Sequence, residues 1–299
     1  MQKVKIDLHQ NVTDQIVQSI ENGVDGFSMP WQRSGLPLCL PKNVDTDNFY
    51  NGVNILNLWA CAELKNFTSN EWGTYKQWKS VDAQVRKGEK SSYIIFYKEY
   101  EVEPDPDDPE DNGMRRVARA SRVFNACQVD GYQAEDLPEM PLLERIAHAD
   151  SFVTATHAIV RHGGDRAYYS PSSDTIQMPD EVRFFEKDSS VRTESYYSVL
   201  LHELTHWTGH EKRRNREMGK RFGDETYAME ELIAELGAAF LCAELGISYE
   251  PRQDHACYIT NWLEVLKNDK KAIFYAAARA SEAVTYLKKL QLSPAKAAA

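Results

Sequence analysis

His202 and His206 stand four residues apart in the run His202-Glu203-Leu204-Thr205-His206. If the run is helical, both imidazoles lie on one face, a turn apart, and both can reach one metal ion. Glu203 then sits beside that ion. There it can take a proton from a water and pass it to a leaving amine, the general-base role of a metallopeptidase. Zinc would acidify that water and polarise the carbonyl under attack. The flank Tyr196-Tyr197-Ser198-Val199-Leu200-Leu201 makes the helix mostly buried. Buried His and Glu without partners are costly, so a metal accounts for the run better than two core histidines do.

A site of this type takes a third protein ligand. The run Glu230-Glu231-Leu232-Ile233-Ala234-Glu235 offers carboxylates, and Glu231 and Glu235 share a helix face. Both are candidates. The pattern resembles the thermolysin-like (gluzincin) arrangement, which implies Glu231 as the ligand and Glu235 as the group that orients a histidine. Glu230, one step round the helix, reads as a solvated or capping charge. The continuation through Gly209 to His210 resembles the metzincin motif, but His210 comes two residues too early. It reads as a local residue at a helix C-terminus. Zinc is the expected ion, with manganese or another divalent ion as alternatives. Zincins bind substrate along an edge strand, for which Asp174–Pro179 is the candidate, with Tyr168 and Tyr169 as candidate hydroxyl donors to the oxyanion.

The elements that must position these groups read as α+β. Helices are expected at 8–22, 53–65, from Thr74 through Val85 to Gly88, at 142–149, 194–210, 226–245, 256–267 and 270–290. Strands are expected at 92–97, 117–129, 157–161, 166–170 and 174–178. At 299 residues two domains are the natural division, 1–135 and 136–299, with a linker near Pro138 and Pro141. The first carries an acidic loop at 101–113, expected to be a solvated hairpin tip. The five cysteines are scattered without a C-x-x-C pair, which argues against disulfides or a cysteine zinc site. No run reaches the roughly 20 apolar residues of a membrane helix, and the start lacks a signal-peptide core. A soluble, cytoplasmic protein is expected.

A net charge of −10 argues against nucleic acid as a partner, but it is unevenly spread. Glu99 to Asp111 holds eight acids and no base; without that segment, residues 1–135 are mildly basic. Aromatic residues are interleaved with cations there, as in proteins that stack unpaired bases and track phosphates. Trp59 and Phe96 read as core. The candidates for DNA contact are Trp31, Arg33, Asn43, Tyr50, Asn54, Trp72, Lys76, Arg86, Lys87 and Lys90.

Pro30-Trp31, Pro41-x-Asn43, Tyr50-x-Gly52-x-Asn54, Trp72-x-Thr74 with Gln77, and Val85-x-Lys87-Gly88-Glu89-Lys90 resemble the single-stranded-DNA-binding domain of ArdC-type antirestriction proteins and TraC-type plasmid primases. The second half resembles the zincin-like peptidase domain found with it, through Tyr168-Tyr169-Ser170-Pro171, Ile176-x-Met178-Pro179, His202–His210 and Glu230–Glu235. The resemblance implies a plasmid protein that binds single-stranded DNA entering by conjugation and shields it from restriction. It also implies a peptidase-like domain similar to the SprT class, acting on a DNA-associated protein or a restriction enzyme. The alternative is a non-catalytic coat for single-stranded DNA with a structural metal.

Overall fold

Val12, Ile16, Val17 and Ile20 recur at helical spacing, and all four are buried along the first helix, α1 (Leu8–Glu21). The computed structural model describes residues 7–21, 38–103, 113–134, 141–184, 194–219, 225–249 and 255–292. Trp31, Arg33 and Pro138, with all of the acidic loop between Glu103 and Gly113, lie outside them.

After α1 come β1 (Lys42–Asn43), α2 (Val53–Leu64), β2 (Glu71–Gly73) and α3 (Tyr75–Ser80). Thr74 and Gln77 form a reciprocal capping box at the start of α3. The helix was expected to run on to Gly88, but it stops at Ser80. Asp82 takes a positive φ of 59°, and Val85 in β3 (Gln84–Val85) pairs with Val129 in β6 (Val129–Asp130). Between these strands lies a long antiparallel hairpin, β4 (Ser92–Glu101) and β5 (Met114–Asn125), in register from Ser92 opposite Val123 to Glu101 opposite Met114. The sheet order is β1-β2-β5-β4. β2 pairs only with the last residues of β5, so most of the hairpin extends beyond the sheet.

The second half is α4 (Leu142–Ala155), β7 (Ile159–His162), β8 (Tyr168–Ser170), β9 (Thr175–Met178), α5 (Glu194–Thr208), α6 (Glu225–Leu245), α7 (His255–Asn268) and α8 (Ala272–Gln291). The three strands order β7-β9-β8, so the fold mixes helix and sheet in both halves. β9 is the middle strand, not an edge; the edges are β7 and β8. The expectation that Asp174–Pro179 offers a free edge is therefore corrected: both sides of β9 are already paired.

α6 is apolar on nearly every side because it is surrounded, packing against α4, α5, α7 and α8. The core does not stop at residue 135. Ile16 of α1 and Trp59 of α2 belong to the same cluster as Leu241 and Ala277, and Trp59 meets Phe240 at 5.8 Å between ring centroids. Thr13 donates to the carbonyl of Lys270 at 2.8 Å, and the Gly52 amide donates to Ser281 Oγ at 2.9 Å. Among the described residues no helix is long and apolar enough to cross a membrane.

Candidate metal centre and nucleic-acid residues

α5 and α6 approach closely because Gly237 has no side chain. A Cβ there would lie 2.5 Å from Cγ2 and 2.6 Å from Oγ1 of Thr205, which is fully buried and donates to the Leu201 carbonyl. One step along α5 from Thr205 stands His206, and two turns back along α6 from Gly237 stands Glu231. Nε2 of His202 lies 3.4 Å from Oε2 of Glu231, and Nε2 of His206 lies 3.6 Å from its Oε1. Ligand atoms about 2.1 Å from a tetrahedral ion stand about 3.4 Å apart, so this donor set has the right dimensions. The three residues offer ligand atoms all within 4.8 Å of one another. Two imidazoles and a carboxylate suit zinc and also harder dications such as manganese.

The outward-facing ring nitrogens are held by two further acids. Nδ1 of His206 is 3.0 Å from Oε1 of Glu230, and Nδ1 of His202 is 3.7 Å from Oε2 of Glu235. The Tyr249 hydroxyl donates to Glu235. Glu230 is not the solvated charge expected: it is 2% exposed and grips Arg216 through bonds of 2.9 and 2.7 Å. Arg216 also donates to Thr208 Oγ1 and the Thr205 carbonyl. It reaches them because α5 ends at Thr208 and Gly209 turns the chain back, its own amide bonded to the His206 carbonyl at 2.7 Å. A Cβ on Gly209 would stand 3.0 Å from a guanidinium nitrogen of Arg216. Neither Glu230 nor Arg216 was picked out from the sequence. The signal available was Glu230's place on an otherwise buried helix, where a lone acid needs a partner.

Burial opposes charge on both histidines, but the neighbouring carboxylates overcome it. His202 is shifted up despite burial, through the neighbouring carboxylates of Glu231 at 3.4 Å and Glu235 at 3.7 Å. His206 is held up at about 10 by the charge of Glu231 and the bonds to Glu230 and Glu231. For Glu231, burial is likewise outweighed, by His206 and then His202, and its carboxyl lies far below the usual range.

Glu203 is 2% exposed and lines a cleft of about 210 Å³ with His206, Glu231, Tyr168, Tyr169 and Tyr227. The cleft shares Pro171, Met218 and Gly219 with a larger depression of about 980 Å³. Tyr168 is 52% exposed at the cleft wall on the edge strand β8. The Tyr169 hydroxyl instead donates to Asp174 at 2.8 Å, and its pKa is driven far up by burial first and then by that carboxylate. Arg213 completes the tie, with its guanidinium paired to Asp174 and lying 3.7 Å above the Trp207 ring. That network fastens β8 to the end of α5, so Tyr169 is structural. His210 lies outside the donor cluster; its Nδ1 accepts from the Lys212 amide at 3.2 Å.

The family model for zincin-like metallopeptidases matches residues 147–279, and that for the N-terminal domain of anti-restriction factor ArdC matches residues 6–128. The crystal structure of antirestriction protein ArdC from plasmid R388, metal-free, is 38% identical with a TM-score of 0.77, over 96% of this chain and 98% of that one. The chain belongs to the ArdC antirestriction family. The Mn(II)-bound structure of the R388 protein matches with a TM-score of 0.76 at 36% identity, over 98% of this chain and all of that one. An uncharacterised Sinorhizobium fredii protein, y4eC, is 42% identical over 94% of this chain and 91% of its own length. A DNA primase TraC of Escherichia coli is 35% identical over 94% of this chain, which spans only 27% of that primase.

Several of the candidate DNA contacts do other work in this ArdC-family fold. Trp72 is 1% exposed in a core pocket with Leu58, Val123 and Phe67. It cannot stack on a base without leaving the core, and that expectation is corrected. Asn54 exchanges two bonds of 2.7 Å with the backbone of Ile95, binding α2 to β4. Asn43 accepts from the amides of Asp45 and Thr46 and donates to the Tyr50 hydroxyl, which leaves both side chains holding a turn. Arg86 donates to the carbonyls of Cys127 and Val129 and pairs with Glu89. Lys76, Lys87 and Lys90 are exposed. Phe96, read as core, is 46% exposed.

Proposed function

We propose that this ArdC-family chain binds single-stranded DNA through residues 1–135 and holds a divalent ion, zinc or manganese, in residues 136–299. The ligands are His202, His206 and Glu231, with Glu203 as general base of a peptidase-type site. Together these activities protect DNA entering by conjugation from restriction, the protein target being one associated with that DNA. The observation that carries the reading is the convergence of two Nε2 atoms on Glu231 at 3.4 and 3.6 Å, beside the cleft lined by Glu203. The Mn(II)-bound relative supports a dication here.

When bound, the ion supplies a Lewis acid for a substrate carbonyl and for water. The chain's own residues do the rest. Glu203 accepts a proton at the wall of the cleft it shares with His206 and Glu231. Glu230, clamped by Arg216, fixes the ring of His206 so that Nε2 points inward, and Glu235 does the same for His202. Tyr168, exposed on the cleft wall, is the hydroxyl available to a developing oxyanion.

The test compares Glu203→Gln with His206→Ala. We expect the first to keep stoichiometric metal and lose hydrolysis of a DNA-bound protein, and the second to lose metal. Metal loss in Glu203→Gln would overturn the role given to Glu203. Near-complete burial of His202 and Glu203, at 3% and 2% exposure, favours a second reading in which the ion is structural and protection comes from coating DNA. Full protection by Glu203→Gln in a conjugation assay would decide for it.

A further inference from the structure

The β4–β5 hairpin carries a surface outside all of those residues. Residues directly opposite in a hairpin point to the same side, and alternate residues share a face. One face of the projecting part therefore carries Phe96, Lys98 and Tyr100 on β4, opposite Arg119, Val117 and Arg115 on β5. Phe96 is 46% and Tyr100 45% exposed, and Lys98 and Arg119 are exposed. The other face carries Tyr93, Tyr97, Glu99 and Glu101 on β4, with Arg122 across from Tyr93. Alternation thus keeps both acids off the Phe96 face, while Tyr93, Tyr97 and Arg122 share the face of Glu99 and Glu101. Residues 92–125 hold eight acids and five Lys+Arg, and that net charge of −3 hides the basic face from a count of residues.

The face is anchored where a binding platform needs to be. At its inner end Val123 is fully buried and Ile94 packs beside it, both against the core that holds Trp72 and Leu58. Phe96 and Tyr100 are four residues apart on one strand, about 13 Å at the rise of a β-strand. Each ring has an arginine directly across the ladder, and Lys98 lies between them. Rings that lie on a rigid surface beside cations stack on unpaired bases while the cations follow the phosphates. A duplex, its bases already stacked on one another, gains only the electrostatic part.

We infer that this face of the β4–β5 hairpin is the platform for single-stranded DNA, with Phe96 and Tyr100 taking bases and Lys98, Arg115 and Arg119 taking phosphates. It rests on the reading above that the chain binds single strands, and it names the surface that does so. The loop residues picked out from the sequence then serve mainly to hold β4 and its neighbours in place, as Asn54 does.

The test measures binding of the full chain to a fluorescent oligothymidylate, and to an abasic oligonucleotide of the same length, by anisotropy across a salt series. Removing both rings in Phe96→Ala/Tyr100→Ala is expected to weaken the thymidylate complex at least about tenfold, since each stacked base is worth about that factor. The abasic complex, which has phosphates only, should not change. Lys98→Ala/Arg119→Ala should weaken both and flatten the salt dependence by about 0.7 log unit per cation removed. Glu99→Ala/Glu101→Ala, on the opposite face, should not weaken either. All these side chains are exposed, and unchanged thermal melting will show that each variant folds. If the wild type binds thymidylate tightly and the ring variant binds it equally well, the hairpin assignment is overturned while single-strand binding stands. If the ring variant loses abasic binding as much as thymidylate binding, stacking is refuted and the face is a general polyanion site. If the wild type binds neither oligonucleotide at low salt, both readings fall.

Discussion

Replacing Gly237 by alanine tests whether the contact between α5 and α6 sets the spacing of the metal ligands. The new Cβ would lie 2.5 Å from Thr205 Cγ2 and 2.6 Å from its Oγ1, against an ordinary contact of 3.4 to 4 Å. Thr205 is fully buried and its hydroxyl is tied to the Leu201 carbonyl at 2.8 Å, so it has little freedom to turn away. The helices must therefore separate by about 1 Å locally. Overpacking of this kind costs about 1–3 kcal/mol of stability. The larger effect falls on the metal, because His202 and His206 ride on α5 while Glu231 rides on α6. A shift of about 1 Å at a bond length of about 2.1 Å exceeds the tolerance of about 0.5 Å for such a site, and affinity should fall about 100-fold. Competition of the metal-free variant against a chelating dye would read this, with thermal melting run alongside. Thr205→Ala in the same chain removes the two closest atoms and should recover most of the affinity. Wild-type affinity in Gly237→Ala, or no recovery in the double variant, would refute the argument.

Glu230→Gln removes the charge opposite Nδ1 of His206 while keeping a partner for Arg216; metal affinity should fall about 10- to 100-fold with little unfolding, as chelator competition would show. Trp72→Ala should cost about 3–5 kcal/mol in denaturant unfolding. At temperatures where it remains folded, its affinity for an oligonucleotide should equal that of the wild type, since the ring is enclosed. With His206 held up at about 10, metal binding at neutral pH must displace its proton, so affinity should fall roughly tenfold per pH unit per proton as pH drops. Calorimetry in buffers of different ionisation enthalpy counts the protons released, and a count of zero at neutral pH would contradict the assignment.

The cluster of His202, His206 and Glu231 was legible because the relation that matters is local. A four-residue step on a helix puts two side chains on one face whatever the rest of the fold does, and this holds for His202 with His206 and for Glu231 with Glu235. Glu230 and Arg216 were not readable, because their pairing depends on how sharply the chain turns back after Thr208. The N-terminal half misled in a consistent way. Asn43, Asn54 and Trp72 sit among turn residues that look exposed in sequence, yet their side chains satisfy backbone groups or fill a pocket. Phe96 looked buried because its neighbours are β-branched and aromatic, yet it is 46% exposed. Side chains stand out of the sheet plane, so coverage of a strand residue is decided by what packs on its face, and α2 packs on β4 near its inner end, where Asn54 binds Ile95 and Asn57 binds Tyr93.

The charges around the metal centre explain how one fold can exist with and without an ion. Glu203, Glu230, Glu231 and Glu235 contribute four carboxylates around the two imidazoles, and Arg216 returns one positive charge. A dication or protons on His202 and His206 each offset two of the remaining three negative charges, and the carboxylates are why both histidines are shifted up. The two alternatives respond to pH in opposite directions. A protonated His206 contributes stability that is complete below its ordinary value of about 6.5 and is lost as pH rises through about 10. Metal binding strengthens over the same interval. It follows that alkaline pH combined with a chelator is the condition that should loosen this pair of helices, and that adding the ion back at the same pH should restore them.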